Sequence, residues 1–426
     1  MGQFSVSLES LAIATMRTVI NLRLSLLASI LIITIANFCS AQETSFPVSA
    51  ELTQAVEFWK QIFTRFSSKE VVFFDPFDLG KIYSVVRAPE SDEGRSIIEK
   101  ERQRIIADYD LNEEDGRIKI QRGAKELFLS GLRISGRYVA PMQAIFRNEG
   151  LPPDLAYLPL VESSFNVHAR SSVGAVGMWQ FMPDTGKKFL RIDDVVDERR
   201  DPLASTRAAA RLLKENRKIL GNWPLAITAY NHGTEGMFRG ITSVGSQNLE
   251  DLIRSYQSPT FGFASKNFYA EFLAAVEIAK NSEAYFPFLR SLRPISFHEV
   301  PIKRPVQVQS VLKPAAIAQS DFFDWNPALN PTSKVLPVGY NVKVPPEKVG
   351  DFITAQRGLA AAPTVQKASL AKRSARPARS QNELNGKIAV KRKGANRASP
   401  GSLPKPKRLR DGRTVAAEPR IQAPNG

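Results

Sequence analysis

Between Asp201 and Asn281 apolar residues return every three to four positions, and that period confines this part of the chain to packed helices. Asp201-Pro202 sets up a helix start, with the Asp able to cap and the Pro suited to the first turn. Ala209, Leu212, Leu213, Asn216, Ile219 and Leu220 then follow, and Gly221 ends the run. Trp223-Pro224 opens a second helix through Ala226, Ala229 and Tyr230 that closes at Gly233. Ser265 to Asn281 predicts a third, with Phe268, Phe272, Leu273, Val276 and Ile278 on its apolar side.

The chain has 426 residues, 43% of them hydrophobic and 23% charged, enough apolar material for a sizeable core. Its only cysteine is Cys39, and its only histidines are His168, His232 and His298. That excludes a disulfide framework and a four-cysteine zinc site. His168 and His232 read as exposed loop residues, and no metal site or cofactor is expected. HExxH, GxSxG, GxxxxGK[ST] and GxGxxG are all missing, which removes the usual support for zinc peptidases, elbow-type serine hydrolases, P-loop NTPases and dinucleotide enzymes.

Charge is unevenly spread. Residues 361–426 hold 16 Lys or Arg against three acids, so +13 of the net +16 lies there. This Ala/Pro/Ser/Lys/Arg stretch has no periodicity and reads as a disordered tail. It lacks the aromatic residues that stack on bases, so no nucleic-acid partner is expected; an anionic wall or membrane surface is the sharper reading. At the other end, Leu24 to Ala36 is an uncharged apolar run of 13, preceded by Arg17 and Arg23 and followed by Cys39-Ser40-Ala41. A basic region, a short apolar run and a small residue at the cut describe an export signal cleaved after Ala41. The chain thus divides into a signal (1–41), an N-terminal helical region (42–135), a helical domain with the chemistry (136–290), a small α+β module (291–355) and the basic tail (356–426).

The chemistry lies in residues 151–189, LPPDLAYLPLVESSFNVHARSSVGAVGMWQFMPDTGKKF. Leu155, Leu158, Glu162 and Phe165 fall at spacings of 3, 4 and 3, which puts one carboxylate in an apolar helical stripe. Pro159 should kink that helix one turn before Glu162. Burial disfavours a charged carboxylate and moves its pKa from ~4.3 toward ~6–7 in favourable sites, where it can hand a proton to a leaving oxygen. The bland alternative is a helix-end Glu paired with a cation such as Arg170.

Three segments change the balance. Glu162-Ser163 with Phe165-Asn166 is the first, and Ala169, Ser171, Gly174-Ala175, Gly177 to Pro183 and Thr185 form the second. Ala229-Tyr230-Asn231 with Gly233 is the third. Together they resemble the hallmark motifs of the lytic transglycosylases with a soluble-lytic-transglycosylase, goose-lysozyme-like domain. DERRDP at 197–202 and FGFASKNFYAEFLAA at 261–275 draw the resemblance toward the membrane-bound, murein-cleaving branch of that family.

The resemblance implies a mainly α, lysozyme-like catalytic domain in an exported protein of the periplasm or cell envelope. It implies cleavage of the β-1,4 bond between N-acetylmuramic acid and N-acetylglucosamine in peptidoglycan glycan strands, leaving 1,6-anhydromuramic ends. Glu162 would be the catalytic acid and base. Ser171, Gln180, Tyr230 and Asn231 would bind substrate or shape the cleft. Ordinary glycosidases need two carboxylates, whereas the matching motifs hold one; an intramolecular hydroxyl nucleophile removes the need for the second. Trp179 reads as core. Phe268 stands where other branches carry a Tyr, which passes any hydroxyl role to Tyr269 or leaves it absent. In the module, Leu329-Asn330-Pro331 and Val342-Lys343-Val344-Pro345 loosely resemble a degenerate LysM, a glycan binder, or else a packing element. Two competing functions stay open: a goose-type muramidase that hydrolyses the same bond, and a non-catalytic wall-binding scaffold.

Overall fold

The computed structural model describes residues 46–358; the predicted export signal and the basic tail beyond Gly358 lie outside the described residues. In chain order the elements are α1 (Ala50–Thr64), β1 (Glu70–Asp75), β2 (Asp78–Arg87), α2 (Asp92–Tyr109), β3 (Lys119–Arg122), α3 (Lys125–Ser135), α4 (Val139–Asn148) and α5 (Pro159–Ser163). Then come α6 (Pro183–Lys187), α7 (Pro202–Leu220), α8 (Trp223–His232), α9 (Thr234–Val244), α10 (Leu249–Ser255), α11 (Phe263–Lys280) and α12 (Ser282–Tyr285). The last are β4 (His298–Pro301), β5 (Val306–Gln307), α13 (Val308–Leu312), α14 (Gln319–Trp325), β6 (Val335–Leu336), β7 (Asn341–Val344) and α15 (Val349–Gly358). The fold is mainly α. Among the described residues no helix is long and apolar enough to cross a membrane.

The described residues form two compact units, one of 46–164 with 206–291 and one of 165–205 with 292–358. In the first, Ser49 caps α1 by accepting the Leu52 N–H. The helix buries Leu52, Val56, Trp59, Ile62 and Phe63 along one side. A three-stranded antiparallel sheet of order β2-β1-β3 follows, a feature the helical reading of 42–135 does not mark. Its central strand EVVFFD is buried on both faces. Side chains alternate across a strand, so Val71 and Phe73 pack with Ile105 of α2 on one face while Phe74 meets Phe58 of α1 at 4.6 Å on the other. The mid-axis of the unit is α11, buried from Asn267 through Val276, which packs against α1, α5 and α8.

The second unit has little regular structure. Two-stranded antiparallel sheets β4–β7 and β5–β6 lie with α13, α14 and α15 around Val300, Val311, Phe322, Val342 and Phe352. Val196, from far upstream, sits in the same core. Its segment is stitched to the module by an Asp197 N–H to Ala328 carbonyl bond of 2.8 Å and an Asn330 N–H to Val195 carbonyl bond of 2.9 Å.

Candidate active site

In the first unit, Pro159 does more than kink a helix. The chain makes a 3-10 turn at Pro153–Tyr157 and restarts as the five-residue α5, with Pro159 in its first turn where no N–H is required. Glu162 therefore rides on one isolated turn. Leu155, Leu158, Glu162 and Phe165 are all buried, Glu162 at 2% exposure, as the spacing predicts. Ser164 ends α5 in the left-handed region at φ 51°, its N–H donating to the Pro159 carbonyl. Helix α3 packs directly on this corner. A Cβ at Gly131 would stand 3.0 Å from the Ser164 Cα, so glycine is what allows the approach.

Tyr230 and Asn231 are half-buried at the end of α8, which Gly233 closes at φ 91°. The Ser265 hydroxyl, in the first turn of α11, donates to Asn231 Oδ1 at 2.9 Å. Because α5 and α8 both pack on α11, that helix backs the two elements that carry Glu162, Tyr230 and Asn231. It also carries Glu271, 7% exposed. Burial, with the charge of Glu162 second, pushes the Glu271 carboxyl up to about 8. The acid lies inside the FGFASKNFYAEFLAA segment, but the sequence reading assigns it no role.

His232 is not the exposed loop residue the sequence suggests. It is the last residue of α8, half-buried, with its ring edge-on to Phe261 at 5.0 Å. Burial lowers its pKa first of all, so a neutral ring is favoured. Phe268 is buried, and the Tyr269 hydroxyl is spent inside the fold, donating to the Pro47 carbonyl at 2.9 Å.

Ser171 and Gln180 belong to the second unit. Ser171 Oγ accepts the Ala175 N–H at 2.9 Å, and its own N–H donates back to the Ala175 carbonyl at 2.9 Å. Val176 N–H donates to the Phe181 carbonyl at 3.1 Å, so the motif is a closed, doubly pinned loop. Gln180 is buried at φ 47°, a left-handed conformation costly for a residue with a side chain. Its Nε2 donates to the Gly177 carbonyl at 2.7 Å. Trp179 is fully buried, as expected of core. Arg199 ties the loop from within: it forks onto the Asp197 carboxylate and donates to the Gly174 carbonyl at 3.1 Å and the Phe181 carbonyl at 3.2 Å. Among the described residues no three His, Cys, Asp or Glu gather as a metal site.

These motifs carry a family signature. Residues 141–253 match the family described as Transglycosylase SLT domain. The chain is similar to membrane-bound lytic murein transglycosylase D of Escherichia coli (strain K12), 31% identical over 185 residues, or 42% of this chain and 40% of that relative. It thus spans about two fifths of that relative's length. Among solved structures, lytic transglycosylase Slt from Pseudomonas aeruginosa aligns at 22% identity and TM-score 0.29, covering 34% of this chain and 24% of that one. The 70 kDa soluble lytic transglycosylase from Escherichia coli aligns at 20% identity and TM-score 0.27, covering 35% and 25%.

Proposed function

We propose that this chain is a peptidoglycan lytic transglycosylase of the cell envelope, with Glu162 as its one catalytic acid and base. The observation that carries the reading is a carboxyl group 2% exposed on an apolar turn, inside the segment that matches the transglycosylase domain. In the forward step Glu162 gives its proton to the glycosidic oxygen between N-acetylmuramic acid and N-acetylglucosamine, and the C1–O bond breaks. The resulting carboxylate takes the proton of the muramoyl C6 hydroxyl, whose oxygen closes on C1. No water is consumed, and the products are a 1,6-anhydromuramoyl end and a free 4-hydroxyl on the departing sugar. The tethered hydroxyl acts at a high effective concentration, which replaces a carboxylate nucleophile.

Glu271 bears on the competing hydrolytic reading. An inverting or retaining hydrolase needs a second, ionised carboxylate. Burial pushes the Glu271 carboxyl up to about 8, which disfavours the ionised form that a carboxylate nucleophile or base requires. Tyr230, Asn231 with its brace from Ser265, and Ser171 and Gln180 on their pinned loop are the proposed substrate-binding groups. The proposed partners are glycan strands, with the basic residues of 361–426 drawn to anionic wall or lipid surfaces.

Digestion of purified sacculi by the full chain, with mass spectrometry of the released muropeptides, tests this. Anhydro ends, lighter by one water than reducing ends, are expected. Reducing ends alone would establish a muramidase, and no release would leave the scaffold reading.

A further inference from the structure

Lys343 is an unusual residue to find buried. It lies mid-strand in β7, between Val342 and Val344, and its side chain is 4% exposed. Its ammonium meets the Asp201 carboxylate, also 4% exposed, and lies 5.5 Å from the centroid of the Phe297 ring. The strand is fixed around it: Asn326 Oδ1 accepts the Lys343 N–H at 2.7 Å and Asn326 Nδ2 donates to the Lys343 carbonyl at 2.9 Å. Removing a charge from water is costly, so such a pair persists where its geometry is well satisfied. Asp201 is satisfied on its other side too, since its Oδ1 accepts the Leu203 and Ala204 N–H groups at 3.0 and 2.9 Å.

Asp201 stands two residues after Arg199, the residue that holds the Gly174 and Phe181 carbonyls on either side of Gln180. The carbonyl of Arg199 also sits where a Cβ on Gly177 would fall, at 1.9 Å. A path therefore runs from β7 through the Lys343–Asp201 pair, along two residues of backbone to Arg199, and on to the Ser171–Gln180 loop, all within one compact unit. We propose that Lys343 is a positioning residue, and that residues 292–358 serve as the clamp that holds the Ser171–Gln180 loop in its bonded shape. The loop's use in turnover rests on the transglycosylase reading; the clamp itself does not.

The test uses the full chain with Asp201→Asn and Lys343→Met combined, which removes both charges without stranding either and keeps a capping oxygen. Amide hydrogen exchange is read beside turnover of sacculi. Exchange at Gly177 and Gln180 should quicken roughly tenfold or more, while Val342 and Val344 stay protected. The maximal turnover rate should fall about tenfold, and co-sedimentation with sacculi should match the parent. Arg199→Lys, which keeps the charge but loses the fork, is the second variant and should quicken the same amides. Lys313→Ala, on the exposed side of the module, should change neither reading. Unchanged exchange at Gly177 and Gln180 in the Asp201→Asn, Lys343→Met variant overturns the clamp whatever Arg199→Lys does, as does an increase spread evenly over the whole chain. If the parent itself releases nothing from sacculi, the transglycosylase reading fails while the exchange result still decides the clamp.

Discussion

Glu271 of α11 and Glu162 of α5 are two buried acids on packed helices; burial holds the Glu271 proton, and a negative charge on Glu162, whenever that residue has given up its own proton, strengthens the hold. The folded chain keeps that proton up to about pH 8, whereas an unfolded Glu releases it near ~4.3. Between those values the unfolded state binds fewer protons. The contribution of Glu271 to stability is therefore fully present below the lower value, falls as pH rises toward about 8, and is flat beyond. Glu271→Gln mimics the neutral acid and has no proton to lose. Relative to the parent it should gain stability from about pH 5 to about pH 8, a widening gap of roughly 4 °C or more in melting temperature. Turnover near neutral pH should stay close to the parent's. A gap that stays constant with pH would contradict the assignment.

Gly177 is held by geometry that no side chain fits. Its φ is 81°, and an added Cβ would stand 1.9 Å from the Arg199 carbonyl oxygen. Gly177→Ala should cost about 2–4 kcal/mol, combining backbone strain with displacement of Arg199. Denaturant melts of the pure protein give the number, and a loss under ~1 kcal/mol would mean the loop is shaped differently.

Ser265 braces Asn231 through one hydrogen bond of 2.9 Å. Ser265→Ala removes that bond at a stability cost of about 1 kcal/mol. If Asn231 must be oriented for substrate, turnover should drop several-fold more than this small cost would explain. Rates on sacculi compared at equal folded fraction decide the matter.

The long helices were legible because their signals are local. Proline and glycine fix the ends of α7 and α8, and the period fixes the buried face of α11. The sheet β2-β1-β3 was not, because Val71 to Phe74 is buried on both faces and a short continuous apolar run lacks the alternation that marks a strand. Glu162 could be found because it interrupts a stripe of otherwise apolar residues. Glu271 could not, because α11 is buried on nearly every side and a charged letter there looks like one solvent-facing position among several. The partnership of 165–205 with 292–358 joins residues more than a hundred positions apart, as Lys343 with Asp201, and nothing local announces it.

The most direct measurement is the release of anhydromuropeptides from purified sacculi by the parent and by Glu162→Gln, with both proteins melting at similar temperatures. Gln keeps the shape of the side chain and has no proton to give. Loss of release by ~100-fold or more is the expected result. Undiminished release of anhydro products by the folded variant would contradict a mechanism in which Glu162 both donates and recovers the proton.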